Sequence, residues 1–298
     1  MRRPLLLTGL VLAPVALVLA LAGFVSDDAW VERIGYRMGT SLGIRLNAPT
    51  REAGLEAIEA AFERVARLEG VLSTWRDDTD LARLNRIPVG HAVRLAPELR
   101  GILTEALGWS GRTEGAFDPR VGALVDAWDL RGEGRVPELR GLERAVKASG
   151  PDAFQLDGDR AIRLREGAWI DAGSFGKGAA LRDAHRALVE LGVTDALLDF
   201  GGQILAMGAG GAGADGWTVP VAHPSRRDET AATLRLRDRS AATSGSSERF
   251  VTVDGVRYGH LLDPRSGRPV EAWGSVTVIA SDPFVADVLS TALFVVGP

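Results

Sequence analysis

Apolar residues recur at steps of three and four along several segments of the chain, and this period is typical of helices with one buried face. The longest run follows Thr50, whose hydroxyl is suited to cap the first turn of a helix. Asp78 or Thr79 can cap a short helical turn that follows. The same period predicts further helices over residues 97–114, 142–149, 177–191 and 281–293.

Segments rich in alternating and β-branched residues predict strands between these helices. They fall at residues 36–46, 168–171, 196–200, 216–222, 230–237, 250–253 and 275–280, with a strand pair over 154–169 that turns at Asp157-Gly158. Small hydroxyl residues over 241–248 indicate a turn that can hold phosphate or ribose. Because strands and helices do not strictly alternate, we expect one α+β domain over residues 30–298, with a mixed β-sheet and flanking helices.

The first 25 residues differ from the rest of the chain. Two arginines precede an uncharged apolar run over residues 5–25, and two aspartates follow it. As a helix this run would be about 30 Å long, close to the thickness of a bilayer core. The charges favour export of the remainder to the periplasm or the outer face of the cytoplasmic membrane. Residues 1–25 are predicted to be either a signal peptide cleaved after Ala22 or a retained membrane anchor.

Composition excludes several classes of function. The formal net charge is −4, and no basic block interrupts the mixed charges, so nucleic acid is not an expected partner. Cysteine is absent, which excludes disulfides, thiolate metal sites and cysteine nucleophiles. Lys147 and Lys177 are the only lysines among 35 basic residues. A lysine in such a chain can mark a place that needs a compact ammonium group.

The loop Asp171-Ala-Gly-Ser-Phe-Gly-Lys-Gly178 lies between a predicted strand and a predicted helix. Glycines let a backbone approach a ligand closely, and amides at a helix start favour anionic oxygens. Lys177 would add a positive charge for a phosphate. The spacing does not match a Walker A loop. A tight turn with a surface lysine is an equally good interpretation of this loop alone.

Three other groups of polar residues can carry chemistry. The segment 259–268 gathers His260, Asp263 and two arginines around a Pro/Gly turn, although a lone histidine is more often a surface or core residue. Asp118 lies on the loop over residues 115–119, which a glycine and a proline constrain. Taken alone, this segment is better interpreted as the capped end of a helix. Asp287 and Thr291, four residues apart on one helix face, would suit Mg²⁺, which prefers oxygen ligands. Spacing alone favours a structural role for this last pair.

Together and in this order, these segments resemble the FAD:protein FMN transferase family, also called the ApbE family. The resemblance runs from Met38 to the last residue, and eight matching blocks in order are highly specific. These blocks are 38–40 (MGT), 81–85 (LARLN), 115–122 (GAFDPRVG), 171–178 (DAGSFGKG), 199–202 (DFGG), 243–245 (TSG), 260–269 (HLLDPRSGRP), and 275–278 with 286–287 (SVTV and AD). Members usually continue for another helix and strand after Pro298, so a C-terminally short domain is expected.

The resemblance implies a role for each matching residue. The residues implied to bind FAD are Met38, Trp75, Ala116, Phe117, Asp118, Asp171, Lys177 and His260. Those implied to hold Mg²⁺ are Asp287, Thr291 and the backbone carbonyl of Ser174. Trp75 replaces the usual tyrosine, Ser174 the usual glycine or alanine, and Gln203 a common acid.

The family's reaction agrees with the chemistry inferred from the residues. Breaking a diphosphate requires neutralised charge on the attacked phosphoryl group and on the leaving AMP, which Mg²⁺, Lys177 and loop amides can supply. His260 or Asp263 can accept the proton of the attacking hydroxyl. We therefore expect an exported enzyme that transfers the FMN half of FAD to a Thr or Ser hydroxyl of another flavoprotein. Two rivals stay open: a pyrophosphatase that gives FMN and AMP, and a non-catalytic flavin-binding or flavin-delivery protein.

Overall fold

The computed structural model describes residues 29–226, 228–245 and 249–298. The apolar segment over residues 1–25, predicted to be a signal or an anchor, lies outside these ranges. Within them, every helix is too short or too polar to cross a bilayer.

Six strands form the central sheet, in the order β1-β2-β6-β7-β10-β15. Their bounds are Ala29–Arg37 (β1), Thr40–Ala48 (β2), Ala196–Phe200 (β6), Gln203–Met207 (β7), Arg239–Gly245 (β10) and Ser275–Ala280 (β15). Each neighbouring pair runs antiparallel. The expected mixed sheet is therefore wrong. Hairpins join β1 to β2 and β6 to β7, which is the connection that antiparallel neighbours permit.

Three helices cover one face of this sheet: α1 (Arg51–Leu72) lies over β1 and β2, α6 (Gly176–Glu190) over β6 and β7, and α7 (Pro283–Val296) over β10 and β15. Leu205 and Met207 face the helices, whereas Ile204 and Ala206 face the other side, as the two-residue period of a strand requires. A hairpin of β8 (Trp217–Ala222) and β9 (Thr230–Leu236) packs on that other side.

The remaining elements pack beside α1 and α6 and complete the core. The helices are α2 (Asp80–Arg86), α3 (Pro97–Arg112), α4 (Gly122–Ala127) and α5 (Leu139–Lys147), with a 3₁₀ turn at Pro151–Ala153. The strands are β3 (Ala92–Arg94), β4 (Phe154–Asp157), β5 (Arg160–Arg163), β11 (Phe250–Val253), β12 (Val256–Gly259), β13 (Leu262–Asp263) and β14 (Arg268–Pro269). The α+β class and the helix starts at Thr50 and Thr79 are confirmed, since both hydroxyls accept a backbone amide.

Three predictions of strands and turns are wrong. The single strand predicted over 36–46 is a hairpin, because the chain reverses at Met38-Gly39, where both residues have positive φ. The turn predicted over 241–248 is largely β10, an inner strand of the sheet. Residues 168–171 are extended but belong to no ladder. The Asn85 side chain bonds both the amide and the carbonyl of Ile170, in place of a strand partner.

Candidate functional site

The glycine-rich loop ends where α6 begins, and this start is packed against α7. Phe175 is fully buried and anchors the loop. Gly178 has no room for a side chain, since a Cβ there would lie 2.5 Å from the Pro283 carbonyl oxygen and 2.8 Å from the Asp287 Cβ. Close packing therefore places Asp287 beside the first turn of α6.

Asp287 is a buried carboxylate without a cationic partner. Its side chain is 5% exposed, and no arginine, lysine or histidine of the described residues lies within ion-pair distance of it. Oδ2 accepts the amide of Gly178 at 2.8 Å. Burial raises the pKa of Asp287, while the nearby Lys177 charge and the Gly178 amide act in the opposite direction. A buried carboxylate in this state is ready to receive a cation.

The oxygen donors of α7 and of the glycine-rich loop are of the type that Mg²⁺ prefers. Thr291 is half-buried one turn further along α7. The Gly178 amide points to Asp287, so the Ser174 carbonyl one turn earlier does not receive it. In the described residues no three acidic or histidine side chains form a metal cluster by themselves. A cation held by Asp287, Thr291 and the Ser174 carbonyl would complete its shell with water and phosphate oxygens.

His260 is partly exposed at the end of the β11–β12 hairpin and is held through one ring nitrogen. Its Nδ1 is 3.0 Å from the Arg249 carbonyl oxygen, so Nδ1 carries the proton and Nε2 is left as an acceptor. Burial lowers the pKa of His260; the Arg249 carbonyl opposes this, and the charges of Arg249 and Lys177 add to it. The imidazole is therefore neutral at pH 7 and able to take up a proton.

Asp263, the other predicted base, is engaged by a neighbour. Its Oδ1 accepts both the backbone amide of Arg265, at 3.0 Å, and the Nε of the same arginine, at 2.8 Å. The ion pair stays partly exposed at the β13–β14 turn. Of the two predicted bases, His260 is the one whose acceptor nitrogen has no hydrogen-bond partner among the described residues.

A second group of side chains surrounds Asp171. Its Oδ1 accepts the Gly173 amide at 2.7 Å, and its Oδ2 lies 3.1 Å from Nη2 of Arg131. The Arg131 guanidinium lies over two indole rings, 4.6 Å from the ring centre of Trp75 and 4.5 Å from that of Trp169. Two residues implied to bind FAD, Trp75 and Asp171, are thus joined through Arg131.

The other residues implied to bind FAD differ in their placement. Met38 is half-buried, and its Cε lies 3.2 Å from the position that a Cβ would take at Gly176, so it borders the loop. Ala116 and Phe117 are 1% exposed and belong to the core. The Asp118 carboxylate lies in a buried ion pair with Arg120, at 2.7 Å. The structure therefore places these last three side chains in the buried interior.

Sequence reasoning assigned no role to Arg131 or to the contacts of Gln203. Gln203 is 1% exposed; its Nε2 donates to the Pro283 carbonyl at 2.8 Å, while its Oε1 is buried without a partner in the described residues. It therefore helps to fix the start of α7. Only its position after the Gly-Gly turn set it apart in the sequence.

Comparison with known proteins identifies relatives along nearly the whole chain. Residues 38–298 match the model of the ApbE family. The FAD:protein FMN transferase of Vibrio cholerae is 28% identical over 96% of this chain and 87% of its own length. That of Treponema pallidum is 31% identical over 87% of this chain and 77% of its own.

Solved structures agree with this result. The ApbE protein of Thermotoga maritima superposes with a TM-score of 0.83 and 31% identity, covering 90% of this chain and 87% of its own. The apo flavinyl transferase ApbE of Pseudomonas stutzeri gives a TM-score of 0.78 and 29% identity over 91% and 86% of the two chains.

Proposed function

The chain belongs to the ApbE family, and on that premise we propose that it transfers the FMN moiety of FAD to a Thr or Ser hydroxyl of an exported flavoprotein, in a Mg²⁺-dependent reaction that releases AMP. Like its relatives it is a transferase with FAD as substrate. The observation that carries the proposal is the buried Asp287 carboxylate, which accepts the Gly178 amide next to Lys177 at the start of α6. The charge of Lys177 also acts on the pKa values of Asp287 and His260.

Each of these residues has a part in the proposed reaction. His260 Nε2 takes the proton of the acceptor hydroxyl, whose oxygen attacks the phosphorus of the FMN half. A new P–O bond forms between this phosphorus and the acceptor oxygen. The bond from the same phosphorus to the bridging oxygen of the diphosphate breaks, and its electron pair leaves with AMP. Lys177 and the amides at the start of α6 offset the charge on the phosphate oxygens. Mg²⁺ held by Asp287, Thr291 and the Ser174 carbonyl would neutralise the diphosphate further.

The two lysines of the chain provide a matched test. We expect Lys177→Met to reduce FMN transfer at least about a hundredfold, because a fixed charge beside the phosphates is lost. Lys147→Met removes the other lysine, which is exposed at the end of α5, and should leave the rate unchanged. The assay follows the mass of a candidate exported flavoprotein and the release of AMP, with FAD and Mg²⁺.

The products distinguish the rival functions. AMP release without a mass gain on the acceptor would identify a pyrophosphatase. Tight FAD binding without AMP release would identify a flavin-binding or flavin-delivery protein. Equal rates for Lys177→Met and Lys147→Met would contradict the assigned role of Lys177.

The role of His260 predicts a particular pH dependence. Because the pKa of His260 is lowered, kcat/KM should stay constant from pH 8 down to about 6.5, the ordinary value for histidine, and fall only below it. His260→Gln should reduce transfer about a hundredfold and remove this acid limb. His91, an exposed histidine, serves as the control through His91→Gln. A His260→Gln variant that keeps the wild-type profile would exclude His260 as the base.

We also propose that the enzyme acts outside the cytoplasm, and that residues 1–25 direct its export or hold it at the membrane. The support is the apolar run, with positive charge before it and negative charge after it. Cell fractionation tests this proposal, and full-length protein confined to the cytoplasm would contradict it.

A further inference from the structure

We propose that Arg131 is a positioning residue for FAD, which holds Trp75 and Asp171 in one fixed arrangement. This inference rests on the proposed function, since the resemblance assigns both of these side chains to FAD. Arg131 itself has no counterpart among the matching sequence blocks. It lies just after α4, between the two segments that it connects.

The contacts of Arg131 reach two separate segments of the chain, residues 74–75 and residues 169–171. Nη2 bonds the Thr74 hydroxyl at 2.6 Å and the Asp171 carboxylate at 3.1 Å, and Nη1 bonds the Thr74 carbonyl at 3.2 Å. The guanidinium also lies over two indole rings, those of Trp75 and Trp169. The loop after α1 and the glycine-rich loop are therefore tied to each other through one side chain.

Trp169, the inner indole, is itself held in place. Its Nε1 donates to the Asp126 carboxylate at 2.7 Å. A Cβ at Gly122 would lie 2.1 Å from the Trp169 ring, so the ring packs directly on the α4 backbone. Arg131 therefore packs against an indole that is itself fixed. Its contact with Trp75 in turn restricts the orientation of the Trp75 ring.

The exposure of Trp75 indicates which kind of ligand this arrangement suits. Trp75 is 74% exposed, although its ring rests on Arg131. A large flat apolar ring held by one face and open on the other is suited to stack against a planar ligand. A cavity of about 290 Å³ borders Arg131, Trp169 and Thr74 from behind, but neither Trp75 nor Asp171 lines it. The surface open for stacking is therefore the exposed ring of Trp75 itself.

Arginine is required here because of its shape. Its planar group stacks on aromatic rings while its edge donates to several acceptors, whereas a lysine ammonium does not do both. Losing Arg131 would free Trp75 to rotate and would leave Asp171 without its ion-pair partner. FAD would then have to order these side chains on binding, which weakens affinity.

The test measures FAD affinity by calorimetry in the full-length chain, without acceptor or divalent metal, so that no turnover occurs. We expect Arg131→Met to weaken FAD binding about tenfold and to raise KM for FAD in the transfer assay, with kcat at saturating FAD almost unchanged. Arg131→Lys should recover only part of the loss. The control is Arg45→Met, which removes a guanidinium 5.1 Å from the Trp30 ring on the β1–β2 hairpin and should leave FAD affinity unchanged.

A double-mutant cycle separates positioning from simple support of the fold. If Arg131 acts through Trp75, Arg131→Met should weaken FAD binding much less in a Trp75→Leu background than in the wild type. Fully additive losses, or an Arg131→Met variant that binds FAD as the wild type does, would overturn the inference. An Arg131→Met variant whose kcat falls while its KM rises, together with a lower melting temperature, would also overturn it. A wild-type chain that fails to bind FAD would instead refute the proposed function.

Discussion

Asp287→Asn is expected to reduce FMN transfer about a thousandfold, which corresponds to about 4 kcal/mol of lost stabilisation of the transition state. Asparagine has nearly the same shape and can still accept the Gly178 amide, so the contact between α6 and α7 is kept. What disappears is the one carboxylate of the proposed Mg²⁺ site. The measurement is the rate of AMP release and acceptor labelling over a range of Mg²⁺ concentrations.

The same substitution should stabilise the protein in the absence of Mg²⁺. Burial raises the pKa of Asp287, so its charge disfavours folding. This cost is fully present above the folded pKa and disappears below the unfolded value of about 3.9. At pH 7 the neutral asparagine should therefore raise the melting temperature by a few degrees, about 1 kcal/mol. Mg²⁺ should raise the melting temperature of the wild type but not that of the variant.

Asp183 provides a matched control on α6. It is also buried, but it is paired with Arg64 and Arg67. The Asp183→Asn variant should therefore be less stable than the wild type. Its transfer rate and its response to Mg²⁺ should be unchanged. An Asp287→Asn variant with transfer within tenfold of the wild type would refute the metal assignment.

Gly178→Ala is the second change with a large expected effect. A Cβ at this position would lie 2.5 Å from the Pro283 carbonyl oxygen and 2.7 Å from the Phe284 Cα, and backbone atoms cannot rotate away. We expect a loss of about 3 kcal/mol in the free energy of unfolding, at the upper end for overpacking. Since α7 must move, the transfer rate and the response to Mg²⁺ should fall as well. Urea denaturation monitored by circular dichroism measures the stability.

Gly101, a helical glycine in α3, is the control for this change. Nothing lies within 4 Å of a Cβ placed there, so Gly101→Ala should stabilise the protein by about 1 kcal/mol. A Gly178→Ala variant as stable as the wild type would show that the two helices have more freedom than their packing indicates.

The elements that sequence predicted well are those with local signals. Thr50 and Thr79 each accept the amide three residues on, and Asp282 with Pro283 begins α7 as expected. The site was less determined by local signals. The sequence left a tight turn as an equal interpretation of the glycine-rich loop and favoured a structural role for the Asp287–Thr291 pair, whereas the fold places Asp287 beside the loop.

The errors arise where distant parts of the chain determine the local structure. Residues 241–245 have the composition of a turn, but pairing with β7 and β15 makes them an inner strand. Small residues are tolerated there because α7 lies directly on them; Ser244 even bonds Ser290. Residues 168–171 lack a ladder because the Asn85 side chain bonds Ile170 on one side. On the other side, Trp169 and Asp171 bond the backbone of Gly122 and Pro119, where the chain enters α4 instead of continuing as a strand. The contacts of Arg131 and Gln203 likewise depend on partners that only the fold brings near.

The first hairpin sets the distance between the start of the fold and the reaction. β1 runs from Ala29 to Arg37, and the turn at Met38 touches the loop before α6. Nine extended residues span about 30 Å, so β1 acts as a spacer between the tether and the site. If residues 1–25 stay in the bilayer and β1 runs away from the lipid, the hydroxyl to be modified must reach about 30 Å beyond Ala29. Acceptors that present this residue on a raised domain or a long loop would then be modified, whereas residues close to the lipid surface would not.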